Sequence, residues 1–328
     1  MAILVTGVAG FIGSQVAERL LGRGETVIGI DNLNSYYDVR LKEARLARLS
    51  PHPDFSFHRV DLADRDRFNA TLAGGAGTIT AAVHLAAQAG VRHSIDHPFD
   101  YISANILGHL VVLEWCRNQP GFRHLVYASS SSVYGGNTKL PFAVEDRVDH
   151  PVSLYAATKK ADELMSHTYS HLYRIPQTGL RFFTVYGPWG RPDMALFKFC
   201  RAILDGQPIT IFNHGQMRRD FTFIDDIVTG VVAALDRPPP DSGPAGAPHR
   251  VFNIGNNQSE SLMTLVELLE RALGRTAIKE FAPMQPGDVE QTFADITATR
   301  EHLGYQPTTP IEIGVPRFVA WYRAHYGV

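Results

Sequence analysis

The stretch Ala2-Ile3-Leu4-Val5-Thr6-Gly7-Val8-Ala9-Gly10-Phe11-Ile12-Gly13 decides how the rest of this 328-residue chain is read. Its first five residues, mostly apolar, predict a buried strand, and from Phe11 onward the pattern becomes helical. Between strand and helix, Gly7, Gly10 and Gly13 stand in a G-x-x-G-x-x-G spacing. That is one residue longer at the first gap than the common dinucleotide fingerprint. Glycines here allow a tight turn, close approach of backbone to a pyrophosphate, and close packing of helix on strand. The free N–H groups and the positive end of the helix dipole then favour phosphate. A strand–turn–helix without a ligand can carry the same glycines, so the second strand matters. It runs over 26–30 and is followed by Asp31. A carboxylate there accepts hydrogen bonds from an adenosine ribose and repels a 2′-phosphate, which favours NAD over NADP. Asp61, closing a third strand over 55–60, is placed to reach the adenine. Together these features predict a dinucleotide site.

Further strands are predicted over 81–85 and 122–128, with helices over 40–49 and 102–115 between them. Strands alternating with helices at this spacing predict an α/β fold, a doubly wound parallel sheet covered on both faces. Right-handed crossovers place the strand C-termini on one edge, where ligands bind. Beyond residue 180 the rhythm changes. Loops rich in Gly, Pro and Arg intervene, such as Gly187-Pro188-Trp189-Gly190-Arg191-Pro192. The stretch 237–249, with five prolines, reads as a surface loop ahead of a strand over 251–254. Two amphipathic helices, Leu262–Leu273 and Ile311–Tyr326, close the chain. The expectation is a Rossmann domain over 1–180, with later segments returning to it, and a smaller C-terminal α/β substrate-binding lobe over 181–328.

Composition narrows the functions. Lys plus Arg (31) nearly balance Asp plus Glu (33), so the basic excess of a nucleic-acid footprint is missing. No apolar run approaches the ~18 residues of a membrane span. The apolar start leads straight into the glycine loop and reads as a strand, not a signal peptide. Cys116 and Cys200 match no close metal or redox spacing, and a reducing, cytoplasmic setting is expected.

Two further motifs carry chemistry. The fifth strand runs into Ser129-Ser130-Ser131-Ser132, whose hydroxyls either serve a ligand or satisfy a buried turn. Downstream, Tyr155 and Lys159 are spaced i, i+4 at the start of a helix and share one face. A neighbouring ammonium favours phenolate over phenol. Tyr155 then fits a general base that takes a hydroxyl proton while hydride leaves the same carbon. Glu163, His167 and His171 fall at i+4 steps on the same helix, a spacing able to hold zinc. A polar helix face explains them more simply, and no metal is expected.

With these residues in view, the chain is similar to the extended short-chain dehydrogenase/reductases of the NAD-dependent nucleotide-sugar epimerase/dehydratase family. Within that family three stretches resemble the UDP-glucuronate 4-epimerases. They are residues 31–42 (Asp31-Asn32-Leu33-Asn34-Ser35-Tyr36-Tyr37 and onward), residues 84–92 (His84-Leu85-Ala86-Ala87-Gln88 to Arg92) and residues 181–195. The resemblance spans roughly residues 2 to 326, apart from the proline-rich loop. It implies that Ser130, Tyr155 and Lys159 form the catalytic triad. It implies a tightly bound NAD lined by Gly7, Gly10, Phe11, Ile12, Gly13, Asp31, Asn32, Asp61, Leu62, Leu85, Ala86, Ala87, Gln88 and Asn105, besides Tyr155 and Lys159. Thr184 and Arg219 match positions on a substrate diphosphate, and Asp288 one on its uridine. Arg92 and Arg191 are candidate partners for a carboxylate or the diphosphate, since Arg offers a bidentate fork. A homodimer built on helix pairs is also implied, through Ile106, Leu110, Leu113 and the helix after Tyr155.

The same resemblance bears on the reaction. Dehydratases of the family carry Asp and Glu at the positions of Ser131 and Ser132, and the glucuronate decarboxylases typically carry Glu at the second. Serine is no acid or base near neutral pH, so dehydration is disfavoured. Both serines can instead donate to a sugar carboxylate. Holding that carboxylate's C–C bond near the plane of a C4 ketone denies the developing electron pair its overlap and suppresses decarboxylation. Related galactose epimerases carry arginine where Gln285 stands, which argues against a plain hexose substrate. The expected activity is 4-epimerisation of UDP-glucuronate to UDP-galacturonate. The alternatives are a UDP-glucose or UDP-N-acetylglucosamine 4-epimerase, a UDP-glucuronate decarboxylase and, from another class, a non-catalytic NAD-binding regulator.

Overall fold

The computed structural model describes residues 2–73, 78–285 and 287–328. Its first strand, β1 (Ala2–Thr6), is buried along its whole length. Ile3 and Val5 point into one hydrophobic core while Ala2 and Leu4 point into another. Both faces are therefore covered, which is why the strand reads as a continuous apolar run rather than an alternating one. The chain continues through α1 (Phe11–Leu21), β2 (Thr26–Asp31), α2 (Val39–Leu49), β3 (Phe55–Arg59), α3 (Arg65–Ala73) and β4 (Ile79–His84). Next come two short helices, α4 (His93–Asp96) and α5 (Pro98–Tyr101), a π-helical segment Ile102–Leu107, and α6 (Gly108–Arg117). Then follow β5 (His124–Ser130), α7 (Leu154–Tyr173) and β6 (Gln177–Phe182).

These strands build a seven-stranded parallel sheet in the order β11-β6-β5-β4-β1-β2-β3, the last member to join being β11 (His249–Ile254). The chain leaves β1 toward β3 and then returns through β4, so the strand order reverses between β1 and β4. A crevice opens outside the strand ends at such a switch point. This is the expected doubly wound fold, and β11 is the later segment that returns to it.

The remaining elements follow β6 in the chain. They are β7 (Thr184–Tyr186), α8 (Ala195–Leu204), β8 (Ile209–Ile211), β9 (Arg218–Arg219), β10 (Phe221–Phe223), α9 (Ile224–Leu235), then, after β11, β12 (Glu260–Ser261), α10 (Leu262–Leu273), β13 (Lys279–Phe281), α11 (Thr297–Leu303) and α12 (Ile311–Tyr326). Among the described residues these strands form three two-stranded pairs, β7 with β10, β8 with β13 and β9 with β12, and no large second sheet. Helix α9 packs back against the main sheet through Ile227, Val231 and Ala234, in the same core as Val126 and Leu180.

Three differences from the sequence reading have physical causes. The fifth strand ends at Ser130 instead of 128, because Ser129 and Ser130 stay in register with Arg181 and Phe182 of β6. Strand β6 itself was not expected; polar Gln177, Thr178 and Arg181 hide a segment that is buried throughout. The helix expected over 102–115 opens with a π-helical stretch, a widening often found at functional sites. Among the described residues no helix is long and apolar enough to cross a membrane.

Candidate active site

The glycine loop shows why its residue types are required. Gly7 has φ +70, and a Cβ there would sit 2.7 Å from the Ala86 backbone nitrogen. At Gly13 a Cβ would lie 2.1 Å from the Gly7 carbonyl oxygen, so any side chain would push α1 off the strand. Helix α1 starts at Gly10 with no side-chain cap and no acidic residue in its first turn. The N–H groups of Phe11, Ile12 and Gly13 have no acceptor among the described residues. An uncapped positive helix end beside a side-chain-free turn fits a pyrophosphate. Asp31 closes β2 below this loop, its oxygens accepting from Ala9 N at 3.1 Å and Leu33 N at 2.8 Å. Burial raises its pKa above the ordinary carboxylate value, while Lys42 nearby works the other way. Asp61 accepts from Asn32 Nδ2 at 3.0 Å, so the two residues form one polar wall of the cleft.

Across the cleft stands α7. Ser153 caps it by accepting from Ala156 N at 3.1 Å, which fixes the first turn and with it Tyr155. The edge of the Tyr155 ring meets Tyr101, with centroids 6.0 Å apart. Lys159 lies one turn further on, nearly fully buried, and donates to the Ala128 carbonyl at 3.1 Å and to Asp162 at 3.0 Å. The four serines divide their work. Ser129 turns into the core and donates to Glu163 at 2.7 Å. Ser130 ends the strand and caps the short 3₁₀ turn Ser131–Tyr134, its Oγ accepting from Ser132 N at 3.2 Å. Ser130, Ser131 and Ser132 all border the cleft.

The far end of the cleft is cationic. Arg191 forms a bidentate pair with Asp193 at 3.0 and 2.5 Å, and Tyr36 donates to the same carboxylate at 3.2 Å. Burial opposes the Arg191 charge, yet Asp193 keeps its pKa above the ordinary arginine value. Arg219 donates to the carbonyls of Arg218 and Glu290 at 2.8 and 3.0 Å, and no carboxylate is hydrogen-bonded to it among the described residues. Such an arginine is suited to an anionic ligand. Arg92 pairs with Asp288 at 2.8 Å and lies 5.0 Å over the Phe212 ring. Thr184, at the start of β7, completes this end.

One cleft of about 1230 Å³ joins the glycine loop, the Tyr155–Lys159 face, the serine turn and the arginines. Gly7, Gly10, Phe11, Ile12, Gly13, Asp31, Asn32, Asp61, Leu62, Leu85, Ala86, Ala87 and Gln88 all line it. Asn105 does not. Its side chain is buried in the π-helical segment, where it bonds the backbone N and O of Gln88 and the Thr158 hydroxyl. It holds the wall from behind. Glu163, His167 and His171 do not assemble either. Glu163 gives both oxygens to Arg181, at 2.8 and 2.9 Å, and the His167 ring stands edge-on to His249. Four residues of the site were missed in the sequence: Tyr36, Asp193, Asp162 and Arg45. The i, i+3 spacing of Lys159 and Asp162, and the Arg191-x-Asp193 pattern, were the available signals. Arg45 gave none. It is fully buried and donates to the carbonyls of Ala9 (3.1 Å), Trp189 (2.6 Å) and Gly190 (3.1 Å) and to the Tyr37 hydroxyl (2.7 Å).

Comparison with known proteins agrees with this geometry. The model of the NAD dependent epimerase/dehydratase family matches residues 3–255. A probable UDP-glucuronate 4-epimerase of Rhizobium meliloti (strain 1021) is 47% identical, over 99% of this chain and 98% of that protein. Among solved structures, the UDP-glucuronic acid 4-epimerase from Bacillus cereus, in complex with UDP-glucuronic acid and NAD, superposes with a TM-score of 0.88. It is 35% identical, and the match covers 99% of this chain and 100% of that one. The UDP-glucose 4-epimerase from Thermotoga maritima, with UDP-glucose, gives the same TM-score of 0.88 at 30% identity, over 99% and 100% of the two chains. The backbone is thus shared across substrates, and side chains must distinguish them. The chain belongs to the NAD-dependent epimerase/dehydratase family.

Proposed function

We propose that this protein is a UDP-glucuronate 4-epimerase that holds NAD tightly and interconverts UDP-glucuronate and UDP-galacturonate. The observation that carries the reading is the meeting, in one cleft, of the side-chain-free phosphate cradle, the Tyr155–Lys159 face, and the Ser130–Ser132 turn, with Arg191 on the same cleft wall. When bound, NAD accepts hydride from the sugar C4 and later returns it. Tyr155 takes the C4 hydroxyl proton at its phenolic oxygen, and the Ser130 hydroxyl donates to the C4 oxygen. Lys159 orients the nicotinamide ribose. The 4-keto sugar turns about its diphosphate linkage, and Tyr155 gives the proton back to the C4 oxygen on the other face. Arg219 and Thr184 hold the diphosphate, and Asp288, with Arg92, borders the uridine. Ser131, Ser132 and Arg191 receive the carboxylate, which a neutral hexose lacks. Identity to the two uronate epimerases, higher than to the glucose enzyme, supports the same choice.

The test is direct. Incubation with UDP-glucuronate should yield UDP-galacturonate by chromatography, with no net change in NADH. Turnover of UDP-glucose alone, or a UDP-pentose as the main product, would move the assignment to a hexose epimerase or a decarboxylase. No conversion of any UDP-sugar would leave a non-catalytic NAD-binding protein.

Cofactor choice gives a second expected result. In this reading Asp31 takes the adenosine ribose and its charge opposes a 2′-phosphate, so apo-protein titrated in a calorimeter should bind NAD at least tenfold tighter than NADP, a difference of about 1.4 kcal/mol. Comparable affinities would reject Asp31 as the selector.

The working unit in this reading is a homodimer in a reducing, cytoplasmic compartment. Phe99 is 84% exposed, and Ile95, Ile102, Leu107, Leu164 and Leu172 on α4, the π-helical segment and α7 also face solvent. These exposed residues supply the dimer face; Leu113 is core, and Ile106 and Leu110 are half-buried. Sedimentation should give twice the chain mass, and Phe99→Glu should shift it toward one. Cys116 and Cys200 are both buried and free, as suits reducing conditions. Residues 1–180 with β11 serve the cofactor, and most of 181–328 serves the nucleotide sugar.

A further inference from the structure

Lys159 is not a lone cation. Its ammonium donates to Asp162 Oδ2 at 3.0 Å, and the two side chains are only 4% and 1% exposed. The other carboxylate oxygen, Oδ1, is buried and meets no donor among the described residues. A half-served carboxylate in the interior is costly, and a capping or packing role would not call for one. Burial lifts the Asp162 carboxyl to about 6 even with Lys159 beside it.

The neighbouring charges leave Asp162 as the anion that answers Lys159. On α7 itself, Glu163 is committed to Arg181 of β6 and also receives Lys160. His84 of β4 is pushed down to about 3 by burial, with Lys159 adding to the effect, and His109 of α6 is also driven well below its usual value by burial. Both rings are neutral near pH 7. Tyr127 of β5 is pushed far up by burial and stays a phenol, and burial lowers His249 of β11 to about 4. Tyr155 is the group on α7 that this pair acts on; facing it from other elements are the Tyr101 phenol of α5, which burial keeps protonated, and the Arg191 guanidinium, itself paired with Asp193.

We propose that Asp162 is a positioning residue that holds Lys159 and, by offsetting its charge, sets how readily Tyr155 gives up its proton. The inference rests on the Tyr155–Lys159 pair described above and adds a third member to it. An epimerase must take a proton from the C4 hydroxyl and return it to the same oxygen within one turnover. A phenol made strongly acidic by an uncompensated lysine would be a feeble base for the first step. A carboxylate behind the lysine restores the balance without touching substrate.

The experiment needs no sugar, so it is independent of the substrate assignment. NAD-loaded protein is titrated with base while tyrosinate absorbance is followed, and the same protein carrying Tyr155→Phe is subtracted. Asp162→Asn keeps an acceptor for Lys159 and removes the charge. Seven residues along a helix are about 10 Å, and at an effective dielectric of about 20 one charge at that distance moves a pKa by about one unit. The Tyr155 midpoint should therefore fall by about one pH unit in Asp162→Asn, a tenfold rise in phenolate at fixed pH. Asp162→Glu should restore the wild-type midpoint. Asp162→Ser, as a second neutral variant, should shift it as Asn does, and NAD content with the thermal midpoint identifies any variant that has not folded. An unmoved or raised midpoint in the folded neutral variants overturns the proposal. A subtraction that removes no titrating band instead overturns the assignment of Tyr155, and Asp162's role with it.

Discussion

Replacing Tyr155 by Phe should abolish epimerisation while leaving the protein folded and loaded with NAD. The phenol is half-buried at the cleft, and none of the hydrogen bonds around the serine turn and Lys159 depends on its hydroxyl. Removing that oxygen orphans no donor or acceptor, and the ring keeps its edge contact with Tyr101. Stability should therefore change by no more than about 0.5 kcal/mol. The rate should fall by 10²–10⁴-fold or more, the usual worth of a positioned acid–base group, because the substitution removes both the first proton transfer and its reversal. The NADH absorbance of the protein on single-turnover mixing with UDP-sugar would show whether hydride transfer survives without the base. A variant retaining more than about a tenth of the wild-type rate would exclude Tyr155 from that role.

The second large effect concerns the carboxylate. In Ser131→Ala with Ser132→Ala, affinity for UDP-glucuronate should fall much more than affinity for UDP-glucose. Each lost hydrogen bond to a charged group is worth about 1.5–3 kcal/mol, so the pair should cost more than a hundredfold. Ser132 Oγ also accepts from Ser130 Oγ at 3.2 Å, but Ser130 keeps its contact to the Ser132 backbone N–H, so the turn survives. The variant should also lose carbon dioxide. With the sugar oxidised at C4, a ring whose carboxylate is no longer held can pucker until the bond to the carboxylate stands perpendicular to the ketone plane, parallel to its π orbitals. That bond then breaks, and its electron pair passes into the enolate that a proton later quenches. Mass spectrometry should find nucleotide sugar lighter by one carbon dioxide. Unchanged binding of both sugars with no such product would leave the serine turn a structural feature only.

Much of this was legible beforehand, for reasons that differ by residue. The glycine loop could be read because its requirement is local: a positive φ at Gly7 and the lack of room at Gly13 permit almost nothing else. Tyr155 and Lys159 could be read because helical spacing alone puts them on one face. The resemblance puts Asn105 on the cofactor wall, yet the π-helical segment holds it behind that wall, and nothing in the residues 102–115 announces the extra half-step. Strand β6 was hidden because its polar residues are satisfied far away in sequence. Arg181 finds Glu163 and Tyr134, and Gln177 finds the Ser166 carbonyl. Long-range pairing of that kind leaves no periodic signature. The Asp193 and Asp162 carboxylates, by contrast, pair locally, two and three positions from Arg191 and Lys159, and so leave a spacing that can be read.

The buried Arg45 has a consequence for how such enzymes can be recombined. Its guanidinium spans from the carbonyl of Ala9, inside the cofactor loop, to the carbonyls of Trp189 and Gly190, beside Arg191. Among the described residues no acidic side chain is hydrogen-bonded to it, so these backbone oxygens and the Tyr37 hydroxyl satisfy its N–H groups, with the Asp31 charge nearby. Together with β11, which places a late segment in the main sheet, this strut ties the two halves together, and the protein should melt in a single calorimetric transition. A chimera grafted at residue 180 would inherit a foreign loop against Arg45. Unless that loop presented its carbonyls at the same places, the graft would strand a desolvated cation at a cost of several kcal/mol, and cofactor retention would fail before sugar selectivity could change.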